Sequence, residues 1–397
     1  MIKRRARIFL ACPWFDVFAG GSERTFSDLA RYFHEYGFEV EVLTTTSKSP
    51  YSDWQTEQFA PCEYQRDGIT VRRFPVDVEL KKHFRALELI GQGKEPGPKL
   101  QEDFFLHSIG SLALIEYLKE TFDPAVDVVM TGPYYQGLSH QIIRALPWNV
   151  ILLPAFHDEP EFYWAPVLKM LKSARRVFFY SQLEKNLVTQ AYGHELGRKL
   201  EDWPVLGLPV EAPKETAPQA ALPARDPYVL YVGRLEAGKA LPELCKWHVG
   251  YANAERRAER TPLKLRIVGA GNEALIPEHP DVLFEGYASE KEKLSLMRGA
   301  KGLANLSRNE SFGYVLMEAA LQGTSVIVSG DCPVTREFAM SSGAGIPVSS
   351  QDNYTKALQA LADDEVRNGL GRSGRNWVRD SYNPAKIINR YLEEMGP

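Results

Sequence analysis

Two glutamates, Glu310 and Glu318, bracket the segment Asn309-Glu310-Ser311-Phe312-Gly313-Tyr314-Val315-Leu316-Met317-Glu318-Ala319-Ala320. It follows a short apolar run, Leu303–Leu306, that reads as a strand, and its own pattern predicts a helix beginning near Phe312 or Gly313. The first turn of a helix leaves backbone N–H groups without intrahelical acceptors, and the dipole adds positive potential there. The start of this helix therefore suits a phosphate. Glu318 falls about five residues in, roughly 7 to 8 Å along the axis at ~1.5 Å per residue. Two carboxylates so separated can grip hydroxyls on opposite sides of a bound diphosphate, Glu310 those of a sugar and Glu318 those of a ribose. Glu318 is also embedded among Val315, Leu316, Met317, Ala319 and Ala320, where a carboxylate without partners is costly.

The elements that must position these groups recur along the whole chain. Short apolar runs alternate with amphipathic stretches, the pattern of βαβ units and a parallel sheet. Strands are expected at Ile8–Cys12, Phe38–Leu43, Val126–Met130, Val150–Leu153 and Val177–Tyr180. A second series is expected at Tyr228–Val232, Leu265–Val268, Val282–Phe284, Leu303–Leu306 and Val326–Val328. After Ser22, read as an N-cap, Phe26, Leu29, Ala30 and Phe33 fall at helical spacing, and Gly37 stands where a C-terminal glycine belongs. Between the two series, APKETAPQAALPARDP has no apolar period and reads as a linker. The expected architecture is α/β, with two Rossmann-like doubly wound domains facing across a cleft. The first spans 1–211, the linker 212–227 and the second domain 228–380, and a C-terminal helix over 381–397 could return to the first domain. Ligands of such sheets bind at the carboxyl ends of the strands.

Three loops after strands hold further candidates. Val232-Gly233-Arg234-Leu235-Glu236-Ala237-Gly238-Lys239 combines a planar guanidinium fork with a point-charge ammonium, a pair able to neutralise a departing diphosphate. Ala19-Gly20-Gly21-Ser22-Glu23 would let backbone approach a ligand closely. His157 follows the strand at Val150–Leu153. Ile267-Val268-Gly269-Ala270-Gly271-Asn272-Glu273-Ala274 fits a dinucleotide fingerprint. Pro277 and Pro280 leave no room for the helix that the fingerprint needs, so a tight glycine turn is the better reading.

The Glu310–Glu318 segment resembles the Glu-x7-Glu motif of glycosyltransferase family 4, retaining enzymes of the GT-B fold also called glycosyl transferases group 1. Ser311 stands where that motif usually has glycine, and Ala240 where a glycine usually follows the lysine of the Gly-Arg-Leu-x-x-x-Lys loop. The resemblance implies that Glu310 contacts the donor sugar, the amides of Ser311, Phe312 and Gly313 the diphosphate, and Glu318 the ribose. It further implies that Arg234 and Lys239 hold the donor phosphates, that Gly20 and Gly21 let the backbone approach the donor, and that His157 contacts its sugar. The backbone at Gly286 and Tyr287 corresponds to the region that meets the base. The function implied is transfer of a hexose-type sugar, with retention, from a nucleoside diphosphate sugar to a glycan, lipid-linked or small-molecule acceptor. Glu310, His157, Arg234 and Lys239 are the expected catalytic groups, with no cofactor and no metal. Other GT-B chemistry (a nucleotide-sugar epimerase or a sugar phosphorylase) and an inactive scaffold in a glycan-assembly complex remain alternatives.

Composition narrows the partners. With 397 residues, 44% hydrophobic and 25% charged, the chain is expected to form two soluble globular domains. A net charge of −4 supplies no basic excess for nucleic acid. The scattered cysteines Cys12, Cys62, Cys245 and Cys332 read as reduced core thiols. No apolar run is long enough to span a membrane and no signal peptide is evident, so a cytoplasmic location is expected. Tyr51, Trp54, Lys81, Lys82, His83 and Arg85, in the poorly matched stretch between Pro50 and Asp123, could serve a lipid-linked or polymeric acceptor at the inner face of the membrane.

Overall fold

The computed structural model describes residues 6–16, 20–212 and 226–396, so most of the expected linker lies outside the described residues, as does Ala19. The chain divides into two compact units, Met1–Pro209 with Pro384–Pro397, and Val210–Asn383.

The first unit is built on seven strands, β1 (Arg7–Ala11), β2 (Glu39–Thr45), β3 (Cys62–Arg66), β4 (Ile69–Phe74), β5 (Val128–Thr131), β6 (Val150–Leu152) and β7 (Arg176–Val177). Their order is β3-β4-β2-β1-β5-β6-β7, parallel except for β3. The central strands are apolar over Ile8–Ala11 and Val128–Met130 because helices cover both faces of a parallel sheet. The β3–β4 hairpin turns on Asp67 and Gly68, both in the left-handed region at φ 50° and 82°, the twist that a two-residue hairpin favours. Cys62 lies exposed on this polar edge strand, so it is not the core thiol expected, whereas Cys12, Cys245 and Cys332 are buried.

The opening helix runs Gly21–Glu35 and buries Phe26, Leu29, Ala30 and Phe33. Its N-cap is Gly20, and no side chain caps it, so Ser22 lies inside the first turn and does not cap it as expected. The chain leaves through Gly37 at φ 89°. The last helix, Pro384–Met395, packs on this one: the Tyr391 ring meets Phe33 and Phe178, and its hydroxyl donates to the Gly207 carbonyl at 3.0 Å. The remaining core gathers Phe104, Phe105, Tyr134, Phe156, Phe162 and Trp203.

The second unit holds β8 (Tyr228–Val232), β9 (Lys264–Val268), β10 (Val282–Phe284), β11 (Gly302–Asn305), β12 (Val326–Ser329) and β13 (Gly345–Val348), all parallel in the order β10-β9-β8-β11-β12-β13. Val229, Leu265, Ile267, Ala304, Ile327 and Tyr354 fill its core.

Candidate functional site

In the second unit the strand order reverses at β8, which has β9 on one side and β11 on the other. Loops leaving neighbouring strands at such a point part to opposite faces and open a crevice at the carboxyl ends of the strands. The loop after β8 carries Arg234 and Lys239, and the loop after β11 carries Glu310. The structure brings them together: Lys239 Nζ lies 2.8 Å from Glu310 Oε1, with the two side chains 22% and 14% exposed. Arg234 pairs with Glu236 on its own loop at 3.0 Å. Beneath them the Tyr231 hydroxyl donates to the Arg234 carbonyl at 2.7 Å. Burial pushes that phenol's pKa upward, with Glu236 and Glu310 acting in the same direction and Arg234 opposing. One buried ring thus senses all three charged groups.

The loop after β8 takes its shape from a second loop. Gly233 N–H donates to Val268 O and Leu235 N–H to Ala270 O, so residues 233–235 run beside 268–271 almost as a continuation of the sheet. A Cβ on Gly269 would come 1.8 Å from Gly233 O, and one on Gly271 would come 2.6 Å from Leu235 O. Only glycine permits this approach. Between here and β10 stands a single short 3-10 turn, Glu273–Leu275, so the dinucleotide-like pattern is a packing device for the Arg234–Lys239 loop. Ala240, in place of the usual glycine, adopts φ 52° and ψ 28° immediately before the helix Leu241–Arg257. The helix start is kept, at a backbone cost of about 1 to 2 kcal/mol for a left-handed alanine.

Glu310 is held by its own loop. Ser307 N–H donates to Asn305 Oδ1 at 2.9 Å, and Ser307 Oγ donates to Asn309 O at 3.1 Å. Ser311 is half-buried, while Phe312 is buried against Tyr314 and Tyr382, with ring centroids 5.1 and 5.3 Å away. The Phe312 ring is therefore an anchor, and what this segment can offer a ligand is backbone. Gly313, at φ 78°, is the N-cap of the helix Tyr314–Leu321, and its conformation turns the strand-exit loop into the helix.

Glu318 sits one turn into that helix, 5% exposed. Its carboxylate accepts from Lys293 Nζ at 2.8 Å, and the same ammonium lies 2.7 Å from Glu290. Lys293 is the residue that sequence reasoning missed. It belongs to Glu290–Gly299, a helix whose capping box, Ser289 with Glu292, was the available signal for its start. Gly286 takes φ 75° and accepts from Gly269 N–H at 3.0 Å, and the neighbouring Tyr287 side chain is 73% exposed.

Gly20, Gly21 and His157 belong to the first unit. Gly20 is extended at φ −121°, and a Cβ on Gly21 would meet nothing within 4 Å. At Gly21 neither the backbone angle nor the packing requires glycine. His157 is half-buried in the loop after β6, behind Ala155 at φ 53°. Of the residues expected to face an acceptor, Lys81 to Arg85 lie on a helix, Leu80–Gly91, and not in a loop. His83 is buried there, with Nδ1 2.7 Å from Phe104 O. Among the described residues no group of three or more His, Cys, Asp or Glu is placed to hold a metal ion, and no helix is long and apolar enough to cross a membrane.

Comparison with known proteins agrees with this geometry. Residues 214–377 match the family model described as glycosyl transferases group 1. The D-inositol 3-phosphate glycosyltransferase of Kineococcus radiotolerans is 25% identical over 399 residues, covering 88% of this chain and 84% of that protein. Its Corynebacterium aurimucosum counterpart is 29% identical over 165 residues, 38% of each chain, so the match spans well under half of that relative. The phosphatidyl-myo-inositol mannosyltransferase of Mycolicibacterium smegmatis is 35% identical over 116 residues, 27% of this chain and 30% of that one. Among solved structures, the E. coli trehalose-6-phosphate protein bound with UDP-2-fluoro glucose superposes with a TM-score of 0.74 at 11% identity over 99% of both chains. WaaG, a glycosyltransferase involved in lipopolysaccharide biosynthesis, does so at 0.67 and 15% identity, over 98% of this chain and 100% of its own.

Proposed function

We propose that this chain, which belongs to the GT-B glycosyl transferases of group 1, moves a hexose-type sugar from a nucleoside diphosphate donor to a glycan, lipid-linked or small-molecule acceptor, retaining anomeric configuration and requiring no metal ion. The observation that carries this reading is the contact of Lys239 with Glu310 at the switch point of the second sheet, beside Arg234 and the start of the helix Tyr314–Leu321.

In this reading the incoming diphosphate takes Lys239 from Glu310. The ammonium moves to a phosphate oxygen, and the freed Glu310 carboxylate accepts from donor-sugar hydroxyls. Arg234 and the backbone N–H groups of Ser311 to Gly313 share the diphosphate charge. As the glycosidic bond to phosphate lengthens, negative charge grows on the leaving oxygen, and groups already fixed around it stabilise that charge without reorganising. Glu318, oriented by Lys293, accepts from the ribose hydroxyls. His157 orients the sugar, the backbone at Gly20 and Gly21 approaches the donor, and the backbone at Gly286 and Tyr287 meets the base. No side chain is assigned as a covalent nucleophile, and retention rests on the resemblance of the motif.

The test is incubation with UDP-, GDP- and ADP-sugars, with and without EDTA, reading slow donor hydrolysis by mass spectrometry. Hydrolysis of one donor class, undiminished by EDTA, is the expected result. Dependence on a divalent ion would overturn the metal-free mechanism, and intact donors throughout would overturn the donor assignment. The peripheral membrane association and cytoplasmic site expected for a lipid-linked acceptor are part of the same proposal, read by co-sedimentation with anionic vesicles.

A further inference from the structure

Glu184 is a buried acid of the first unit, 2% exposed at the start of the helix Gln182–Leu196. Among the described residues no lysine or arginine pairs with it. Instead Oε1 accepts from the Phe156 backbone N–H at 2.6 Å, and Oε2 accepts from the Tyr180 backbone N–H at 2.7 Å. Tyr180 and Ser181 lie at the helix's own entrance, but Phe156 lies 28 residues earlier in the chain, in the loop after β6. The helix already has a cap, since Ser181 Oγ accepts from Glu184 N–H at 3.1 Å. Capping alone therefore does not explain a buried carboxylate that spans two loops. Burial raises its pKa to about 8 even though three backbone N–H groups favour the ionised form.

The loop it reaches is under strain. Ala155 is left-handed at φ 53°, a state that persists in a non-glycine residue only when the surroundings over-determine it. On the far side of the loop, Glu159 N–H donates to the His157 carbonyl at 3.0 Å, and the buried Tyr134 hydroxyl donates to the Glu159 carboxylate. Tyr134 N–H in turn donates to Pro154 O at 2.8 Å. The residues on either side of His157 are thus tied down, one by Glu184 and the other through Tyr134.

We infer that Glu184 is a positioning residue for His157: by gripping the Phe156 amide it holds the strained Ala155 turn and fixes the direction in which the imidazole leaves the loop. The inference rests on the reading of His157 as a donor-sugar contact.

A double-mutant cycle on hydrolysis of the UDP-, GDP- or ADP-sugar found in the panel above tests it. Glu184→Gln keeps one carbonyl acceptor and should lower kcat/KM about tenfold through misplacement of His157. It should leave the affinity for the free nucleoside diphosphate unchanged. In a His157→Ala background the same substitution should cost less than about twofold, because the group it serves is gone. If Glu184→Gln does not fold, Glu184→Asp keeps the acid but shortens its reach to the Phe156 amide, and the same non-additivity is expected. Full activity of both variants, or equal losses in both backgrounds, would overturn the inference. Full activity of His157→Ala would instead overturn the role of His157 itself.

Hydrogen exchange covers the case in which no donor turns over. Amides 155–159 should exchange at least about tenfold faster in Glu184→Gln, with 228–239 unchanged. Equal protection of 155–159 in the two proteins would overturn the inference.

Discussion

The two sheets of this chain end in loops that treat acidic groups in different ways. After the strands of the second unit, the site's carboxylates face cationic side chains: Glu310 faces Lys239 and Glu318 faces Lys293, both at 2.8 Å, and Glu236 faces Arg234 at 3.0 Å. After β6 and β7 of the first unit, Glu184 is held by backbone N–H groups and Glu159 by the Tyr134 hydroxyl. Ion pairs between partly exposed side chains can be exchanged for a ligand at small net cost, because a phosphate replaces the carboxylate as the lysine's partner. Hydrogen bonds to buried amides cannot be exchanged so cheaply. Under the proposed function, the Lys239–Glu310 pair of the second unit is the one that exchanges for an anion, whereas the Glu184 and Glu159 contacts of the first unit hold a loop still.

The sharpest way to break this comparison is to remove an exchangeable acid. Glu310→Ala should lower transfer about a thousandfold, in the range seen when one transition-state contact is lost. Free nucleoside diphosphate should bind at least as tightly as before, since Lys239 would no longer be paired. Parallel turnover and calorimetric measurements check both, and near-normal turnover by the folded variant would remove Glu310 from the mechanism.

Gly269→Ala strikes the same loop from below. A Cβ placed 1.8 Å from Gly233 O forces the backbone apart, and we expect a loss of about 2 to 4 kcal/mol in thermal or urea unfolding together with weaker nucleotide binding. An unchanged melting temperature would show that the close approach is not required.

Proton linkage sharpens the contrast further. The folded pKa values of Glu184 and Glu159, about 8 and about 7, lie above the usual 4.5, so the folded state binds the extra protons. Their contribution to stability is full below pH 4.5 and is lost as pH rises through 7 and 8. Asp281 in the second unit behaves in the opposite way. Burial alone would raise its pKa, but Arg256 and Lys264 bring it down to about 2, so its contribution is present above 3.8 and lost as pH falls toward 2. Glu184→Gln should flatten the alkaline limb of a stability profile and Asp281→Asn the acid limb. Profiles that keep the parent's shape in both variants would contradict the assignment.

The smallest expected effect is at Ala240. Glycine there removes the left-handed strain but adds freedom to the unfolded chain, for a net gain of about 0.5 kcal/mol. A measurable loss in urea unfolding would mean that the alanine methyl packs usefully.

Much of this was legible in the sequence, because buried parallel strands such as Tyr228–Val232 are continuous apolar runs that need no partner to be recognised. The Glu310 segment was legible for a related reason: a strand, a glycine and an apolar helix in succession place it at the carboxyl end of the sheet, where Glu310 meets Lys239. The β3–β4 hairpin was not read, since the sequence CEYQR is a polar edge strand with one solvated face. Its Asp67-Gly68 turn was nevertheless a usable signal. Lys293 and Glu184 were out of reach for another reason. Each finds its partner 25 or 28 residues away through tertiary packing, and nothing local distinguishes them from surface charges. Ser22 failed as a cap because Gly20, by taking the extended conformation, started the helix earlier.

The account depends on a diphosphate taking Lys239 from Glu310. Calorimetric titration of UDP, GDP and ADP into the parent protein and Lys239→Ala measures this directly. The prediction is that one nucleotide binds the parent and binds the variant about ten- to a hundredfold more weakly, the loss expected for one charge-assisted contact. Equal affinity for that nucleotide in the two proteins would contradict it.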